Sequence, residues 1–243
     1  MPFVLGLQIY AINPIECKIF DFFCKMENIC NIIFDLGGVL YNIDQRLSLE
    51  AMKNLGLEDL DQFLLEAGSE QVFERFDRGE LSAVDFRQAL RRLSGLNVPD
   101  VQIDAAWNAM LLDFPEYRIE LLEGLRGHYR LFLLSNTNAI HYPFYQRYML
   151  DTHGIDGLDH LFEKTYLSHK LGMRKPHPEI FKVIINENEL LPEETLFVDD
   201  TLEHVLGARK VGLRAVWLDL SKLKVIDLFN WRYQLRPEVA ELL

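Results

Sequence analysis

Four short polar groups follow or interrupt apolar runs in this sequence, and their side chains could handle a phosphate group. Asp35 follows the run CNIIF, Ser135 follows YRLFLL, and Lys175 lies within LGMRKPHPE. Asp199 and Asp200 follow the run TLFV as adjacent acids. Two crowded carboxylates need a counter-ion, and Mg²⁺ with oxygen ligands is the usual one in proteins. Taken singly, each group also fits an ordinary turn or a solvent-facing charge.

Each group has a physical reason to bind a charged ligand. The glycine pair that begins at Gly37 would let the main chain approach a ligand closely beside the first acid. Ser135 and Asn136, with the N–H groups of the following turn, offer donors for phosphate oxygens. Pro176 restricts the backbone next to Lys175 and would present its ammonium group rigidly. As an ordered set, the four groups are much more specific than any one of them.

Five apolar runs of strand length could position these side chains. Most are separated by segments with helical periodicity, and strands that alternate with helices indicate a parallel sheet covered on both faces. The predicted fold is a doubly wound, Rossmann-like α/β layer, in which chemistry collects at the carboxyl ends of the strands. Asp35, Ser135 and Asp199 lie at that end of their runs. The runs are NIIFDL (31–36), YRLFLLSN (129–136), KTYLSH (164–169), TLFVDD (195–200) and RAVWLDL (214–220).

Residues 46–115 have a different pattern and predict an insertion of four helices. Leu, Phe and Met recur at helical spacing in four amphipathic segments. Ser82 precedes one segment as a predicted N-cap, with Asp85 in a loose capping-box position. The expected core then comprises residues 26–45 and 116–243. The segments are LSLEAMKNLG, LDQFLLEAGSEQVFERFDRGE, SAVDFRQALRRLSG and VQIDAAWNAMLLD.

Composition limits the classes of function. The chain has 243 residues and a formal net charge of −12, which argues against nucleic-acid binding because such surfaces carry clustered basic residues. Residues 1–25 lack a basic start and are interrupted by charges, so they predict neither a signal peptide nor a membrane span. We interpret them as a dispensable N-terminal extension before Met26. Three cysteines without zinc-like spacing are typical of the reducing cytoplasm.

The order and spacing of the four groups resemble the haloacid dehalogenase-like hydrolase superfamily, with a helical cap inserted after the first motif. The resemblance covers residues 30 to 220 approximately. The stretches FDLGGVLYNID, FERFDRGELS, LLSNTN and LSHKLGMRKPHPEIF are most similar to the subgroup that includes the α-D-glucose-1-phosphate phosphatases. The charged stretch FERFDRGELS (73–82) of this chain is a candidate to face the site, although charges at such positions more often face solvent.

The resemblance implies a role for each candidate residue. Asp35 would be the nucleophile that takes the phosphoryl group, so the reaction would proceed through an aspartyl-phosphate intermediate. Ser135 and Asn136 would bind the transferring group, and Lys175 would neutralise it and orient Asp35. In-line phosphoryl transfer needs positioning and charge neutralisation more than elaborate covalent chemistry, so these roles are physically consistent.

The resemblance also implies a magnesium site. Asp199 would ligate Mg²⁺ together with Asp35 and the main-chain carbonyl of Gly37. Asp200 would reach the ion directly or through a water molecule. A small phosphate ester would be the substrate, and the family's cap would select it, so the sequence alone leaves its identity and the oligomeric state open.

Gly37 departs from the pattern of many family phosphatases, which have a second Asp there to protonate the leaving oxygen. Such acid–base help is typically worth about 10²–10⁴-fold in rate. The similar subgroup also has Gly at this position, so the departure does not require inactivity. We expect rates to depend strongly on the leaving group, unless an acid from elsewhere, such as Asp44, substitutes.

Three interpretations remain at this stage. A Mg²⁺-dependent phosphatase of a small phosphorylated metabolite, with a sugar phosphate favoured, is the first. A haloacid dehalogenase is the second, although dehalogenases usually have an aromatic residue where this chain has Gly37. The third is a binding protein that keeps the fold with little turnover. This interpretation is disfavoured, because crowded buried charges are energetically costly to keep without a metal.

Overall fold

The computed structural model describes residues 29–57, 59–95 and 97–243. The predicted extension, residues 1–25, lies outside the described residues. Within the described ranges, no helix is both long enough and apolar enough to cross a membrane.

The centre of the molecule is a parallel sheet of five strands, in the order β3-β2-β1-β4-β5. Each strand coincides with one of the apolar runs, so the predicted doubly wound sheet is confirmed. Side chains alternate across it: Ile32 and Phe34 pack into one apolar cluster, and Ile33 packs into the other. The strands are β1 (Asn31–Phe34), β2 (Arg130–Ser135), β3 (Lys164–Leu167), β4 (Thr195–Asp199) and β5 (Arg214–Trp217).

Helices cover both faces of this sheet. Leu122 and Met149 lie in the cluster with Ile32, whereas Phe181 and Val205 lie in the cluster with Ile33. The central strands β1 and β4 are therefore buried along their whole length, which explains why their runs are continuously apolar. The helices are α6 (Glu116–Leu125), α7 (His141–His153), α8 (Ser168–Leu171), α9 (Pro178–Glu187) and α10 (Leu202–Arg209). Short 3₁₀ turns span Leu158–Leu161, Pro192–Glu194, Val225–Leu228 and Pro237–Leu242.

Between β1 and α6 the described residues form five helices, where the sequence predicted four. The second predicted segment breaks in two because Gln71 adopts a left-handed conformation, with φ 51°. Gly68 and Ser69 just before the break are weak helix formers, which lowers the cost of interrupting the helix there. The helices are α1 (Gln45–Asn54), α2 (Leu60–Ser69), α3 (Val72–Asp77), α4 (Ala83–Ser94) and α5 (Asp100–Asn108).

These five helices have an apolar core of their own. Phe76 and Phe86 stack at its centre, with ring centroids 4.0 Å apart and planes at 11°. The predicted capping box at the start of α4 is confirmed, because the Ser82 hydroxyl accepts from the Asp85 N–H while the Asp85 carboxylate accepts from the Ser82 N–H. The insertion leaves and rejoins the core through paired main chains, in which Ile43 bridges Leu111 in antiparallel fashion.

The loop after α3 holds the insertion against the core. Gly79 has φ +68°, and a Cβ atom there would lie 2.3 Å from the main-chain carbonyl oxygen of His169. Only a glycine allows this approach without moving one of the two main chains.

We predict that Gly79→Ala destabilises the protein more than Gly95→Ala. Both glycines have φ +68°, but a Cβ atom at Gly95 would meet nothing within 4 Å. Gly95→Ala should therefore lower the free energy of unfolding by only the left-handed penalty of about 1–2 kcal/mol. Gly79→Ala should lower it further, and urea denaturation measures both. Equal losses would mean that the contact with His169 contributes nothing.

Candidate active site

Strand register brings the first acid and the acid pair together. Phe34 pairs with Val198 across the parallel strands β1 and β4, and the Asp35 N–H donates to the Val198 carbonyl at 2.9 Å. Asp35 and Asp199 consequently leave neighbouring strands at the same level. One side-chain oxygen from each of Asp35, Asp199 and Asp200 lies within 4.8 Å of the others.

Lys175 lies between two of these carboxylates. Its Nζ donates to Asp35 Oδ1 in a short contact and to Asp199 Oδ2 at 2.7 Å, and the side chain is fully buried. Burial lowers the pKa of Lys175, but the charges of Asp199 and Asp35 outweigh it and leave the pKa above its ordinary value. Lys175 therefore remains an ammonium group that neutralises part of the acid cluster.

The side chain of Asn136 fixes the position of Lys175. Its Nδ2 donates to the Lys175 carbonyl at 3.0 Å, and its Oδ1 accepts from the Lys175 N–H at 2.9 Å. The side-chain amide of Asn136 is therefore engaged with the main chain of Lys175 and not with a ligand, which leaves its main-chain N–H as the group for the predicted contact with the transferring group. Ser135 is buried at the end of β2, and its hydroxyl has only a weak contact, 3.5 Å, to the Asn136 carbonyl.

Asp199 is held by donors on every side. Its Oδ1 accepts from the Thr201 N–H at 2.8 Å, and His204 Nδ1 lies 3.0 Å from both carboxylate oxygens. Burial raises the pKa of Asp199, but Lys175 and His204 together hold it below its ordinary value. His204, which follows the acid pair by one helical turn on α10, is a site residue that the sequence pattern did not indicate.

Asp200 has the less engaged carboxylate of the pair and faces the cavity described below. Its side chain has one weak contact, from the Thr201 hydroxyl at 3.4 Å. Burial and the neighbouring charge of Asp199 raise the pKa of Asp200. A Cβ atom at Gly38, where φ is +80°, would lie 2.2 Å from Asp200 Oδ2, so the second glycine of the pair makes room for this carboxylate.

The turn after β1 leaves the Gly37 carbonyl out of its hydrogen bonds. The amides of Leu40 and Tyr41 both donate to the Leu36 carbonyl, and the Gly38 amide donates to the Tyr41 carbonyl. Gly37 lines the cavity beside Asp35. Its carbonyl oxygen is therefore available as a ligand, and the metal role that the resemblance implies for it stays a prediction.

This donor set fits a magnesium ion. Burial raises the pKa of Asp35 to about 7 despite the opposing charge of Lys175, and the charge of Asp199 adds to the rise. Three carboxylates close to one ammonium group carry a net negative charge, which a divalent cation would balance. Hard oxygen donors are also the ligands that Mg²⁺ prefers. A divalent cation would favour the ionised form of Asp35.

A cavity of about 480 Å³ opens next to these carboxylates. Its apolar wall comes mainly from the inserted helices, and Trp107 lies there stacked between Phe73 and His141, with both centroid distances at 5.3 Å. The polar residues away from the acid cluster include Asp77, Asn138 and Arg174. The apolar lining comprises Ile43, Leu49, Leu64, Phe73, Trp107 and Met110.

Asp77, Asn138 and Arg174 form one polar group on the cavity wall. Asn138 Nδ2 donates to Asp77 Oδ1 at 3.3 Å, and Arg174 Nη2 lies 3.6 Å from Asp77 Oδ2. The sequence analysis did not single out these residues, although Asp77 falls in the charged stretch FERFDRGELS. Arg174 and Asn138 each lie within three residues of a predicted site residue, which is the signal that was available.

Asp44 is unsuited to replace the acid that Gly37 lacks. It is the N-cap of α1, where its Oδ1 accepts from the Arg46 N–H at 3.0 Å and its Oδ2 pairs with the Arg46 guanidinium at 2.6 Å. The hydrogen bond from Arg46 lowers the pKa of Asp44 and keeps it ionised. The idea of Asp44 as a proton donor is therefore wrong: capping explains the acid.

Comparison with known proteins agrees with this arrangement. A family model described as haloacid dehalogenase-like hydrolase matches residues 31–212. A D-ribitol-5-phosphate phosphatase from Bacteroides thetaiotaomicron is 35% identical over 185 residues, which cover 75% of this chain and 88% of that protein.

Solved structures give the same result. A crystal structure of a HAD family enzyme from Bacteroides thetaiotaomicron, in complex with magnesium and inorganic phosphate, is 35% identical with a TM-score of 0.76 and covers 83% of this chain and 100% of that one. An L-2-haloacid dehalogenase from Xanthobacter autotrophicus is 21% identical with a TM-score of 0.53, covers 78% of this chain and 77% of that one, and shares the fold. With a family model that spans three quarters of its length, this chain belongs to the haloacid dehalogenase-like hydrolases.

Proposed function

We propose that this protein is a Mg²⁺-dependent phosphatase that hydrolyses a small phosphorylated metabolite. The observation that carries the proposal is the contact of buried Lys175 with Asp35 and Asp199, with Asp200 beside them at the open end of the cluster. A nucleophile beside an ammonium group and a cation site is what phosphoryl transfer requires.

The relatives support a sugar or polyol phosphate as the substrate. The relative from Bacteroides thetaiotaomicron is named a D-ribitol-5-phosphate phosphatase, and the structure from that organism holds magnesium and inorganic phosphate. The cavity of about 480 Å³ is large enough for a molecule of that size. Its stacked Phe73 and Trp107 rings offer an apolar surface, and Asp77 and Arg174 offer partners for hydroxyl groups.

The geometry supports a division of labour among the chain's own residues. Asp35 attacks phosphorus and carries the phosphoryl group, which water then removes. Lys175 orients the Asp35 carboxylate and neutralises charge on the transferring oxygens, while the Ser135 hydroxyl and the main-chain N–H of Asn136 bind those oxygens. When bound, Mg²⁺ supplies charge neutralisation for the phosphoryl oxygens, held by Asp35, the Gly37 carbonyl, Asp200 and Asp199.

We also propose that residues 46–115 are a cap domain on a core of residues 26–45 and 116–243. The separate apolar cluster around Phe76 and Phe86 supports this division. The insertion contributes most of the apolar lining of the cavity, so it would select the organic part of the substrate. A cytoplasmic location remains a prediction from the cysteines, of which Cys30 is free in the described part of the chain.

The proposed function predicts Mg²⁺-dependent release of phosphate from p-nitrophenyl phosphate and from a panel of sugar and polyol phosphates. EDTA should abolish the activity and added Mg²⁺ should restore it. A chain that released chloride from a haloacid but no phosphate would instead be a dehalogenase. A chain inactive in both assays would be a binding protein.

Asp35→Asn should reduce phosphatase activity by at least about 10³-fold, because an amide oxygen is a poor nucleophile. The volume of the side chain hardly changes, so the melting temperature should stay close to that of the parent. Asp156→Asn, at an exposed acid, is the matched control and should keep full activity. Near-normal activity of Asp35→Asn would rule out Asp35 as the nucleophile.

Asp199→Asn and Asp200→Asn should separate metal binding from stability. Asp200→Asn removes the less engaged oxygen ligand and should weaken Mg²⁺ binding with little change in unfolding free energy. Asp199→Asn also removes a charge partner of buried Lys175 and should cost roughly 3 kcal/mol of stability. Titration of Mg²⁺ by calorimetry and urea denaturation measure the two effects. Equal stability losses would contradict the distinction drawn between the two acids.

A further inference from the structure

The reaction proposed above leaves the protonation of the leaving oxygen without a donor. When phosphoryl transfer begins, the bond from phosphorus to the ester oxygen breaks and its electron pair stays on that oxygen. An alcohol leaves well only if it receives a proton. Gly37 has no side chain to supply one, and Asp44 is paired with Arg46 at the start of α1. The inference in this subsection rests on the proposed phosphatase function.

The cavity wall narrows the choice of donor. Among the described residues that line it, the carboxylic acids and histidines are Asp35, Asp77, Asp200, His141 and His204. Asp35 is the proposed nucleophile and Asp200 belongs to the metal cluster. His204 is bound to both oxygens of the Asp199 carboxylate.

His141 cannot serve as an acid. Its Nδ1 is hydrogen-bonded to Asn108 Oδ1 at 2.8 Å, and its ring stacks on Trp107. Burial lowers the pKa of His141 to about 3, so the imidazole is neutral at physiological pH. Asp77 is then the acidic group on this wall that has no other assigned role.

Asp77 is anchored where the insertion meets the catalytic end of the sheet. It is the last residue of α3, and its carboxylate accepts from Asn138 Nδ2, three residues beyond the end of β2. Gly79, two residues later, packs against the His169 carbonyl and fixes the loop against the core. The strand β2 pairs with β1, which ends just before Asp35. The contact with Asn138 therefore places Asp77 on the β2 side of the proposed nucleophile.

The surroundings of Asp77 favour the protonated form of its carboxyl group more than water does. Burial raises the pKa of Asp77 to about 6, with Glu74 adding to the rise, while Arg174, Arg78 and the hydrogen bond from Asn138 oppose it. The Arg174 contact is loose, at 3.6 Å, and does not hold the carboxylate firmly in its ionised form. A catalytic acid works best when its pKa lies near the working pH.

We propose that Asp77 is the general acid–base of this enzyme, supplied by the cap in place of the acid absent at Gly37. In the first half-reaction the Asp35 oxygen bonds to phosphorus, the ester P–O bond breaks, and the Asp77 carboxyl proton moves to the leaving oxygen to release a neutral alcohol. In the second, the Asp77 carboxylate takes a proton from the water that attacks phosphorus. The bond to Asp35 breaks, inorganic phosphate leaves, and both carboxyl groups return to their starting forms.

The test compares leaving groups in Asp77→Asn and in a matched variant, Glu74→Gln. Glu74 lies on the same helix and contacts the same arginine, at 3.8 Å, but the cavity lining does not include it. Each variant removes one negative charge with almost no change in volume. kcat/KM is measured with Mg²⁺ for a series of esters from p-nitrophenyl phosphate to simple alkyl phosphates, using protein with a cooperative melting transition.

For Asp77→Asn we expect kcat/KM on alkyl phosphates to fall by about 10²–10⁴-fold. The value for p-nitrophenyl phosphate should change by less than about tenfold, because a nitrophenolate leaves without a proton. Glu74→Gln removes only a distant charge that acts on Asp77, so it should change the ratio between the two substrates far less than Asp77→Asn does. The parent enzyme should therefore show a weak dependence on the leaving group, in contrast to the strong dependence expected from Gly37 alone.

An equal loss on all esters in Asp77→Asn would assign Asp77 to holding the cap in place and overturn the proposal, as would no loss on any of them. If Asp77→Asn does not fold, Asp77→Glu and Asp77→Gln carry the same comparison, since only the former keeps a proton to donate. Inactivity of the parent on every ester would instead remove the proposed phosphatase function, and the two failures are distinct.

Discussion

The proposed active site depends on one buried cation, the ammonium group of Lys175, which lies between two carboxylates. Moving an ammonium group out of water costs several kcal/mol, and it is tolerated only where opposite charges and hydrogen bonds replace the lost hydration. Lys175 meets that condition through Asp35 and Asp199, which leave adjacent strands. In return, the lysine reduces the repulsion between two acids that the sheet forces together. Each partner is therefore needed for the others to remain buried and charged.

Several features of the chain exist to maintain this contact. The Asn136 amide binds both main-chain groups of Lys175, so the loop that carries the lysine is tied to the end of β2. Gly38 lets the turn after β1 approach Asp200 without a clash. His204 and the Thr201 amide fix the Asp199 carboxylate. A parallel sheet brings these distant parts of the chain to one edge, which is why the site draws on segments that are far apart in sequence.

The sequence predicted those elements whose formation depends on neighbouring residues or on a regular apolar period. The central strands are continuous apolar runs because both faces of the sheet are buried there. Ser82 and Asp85 have the spacing of a capping box, which is a local signal of a helix start. The break at Gln71 was not predictable, since Gln rarely adopts a left-handed conformation and packing must impose it. Helical periodicity shows which side of a helix is apolar, but it does not separate a core from the wall of a cavity, so Trp107 was missed.

Other polar side chains could serve either the local structure or the site, and the sequence does not show which role each one has. The Asn136 side-chain amide forms two hydrogen bonds with the main chain of Lys175, a role that the sequence did not indicate. Asp44 was considered as an acid, but it caps a helix. Asp77 lay in a charged stretch that reads as solvent-exposed, and only the folding of the cap onto the strand ends buries it. In each case the deciding partner is either a main-chain group or a residue far away in sequence.

We propose that the buried ammonium group of Lys175, between two acids, prepares Asp35 to carry the phosphoryl group covalently. The stereochemical course at phosphorus tests it most directly, with a substrate ester made chiral at phosphorus by oxygen isotopes and sulfur. Two successive in-line displacements, one by Asp35 and one by water, each invert the configuration, so the account predicts net retention in the released phosphate. Net inversion would mean that water attacks the ester directly, and it would contradict the assignment of Asp35 as the nucleophile.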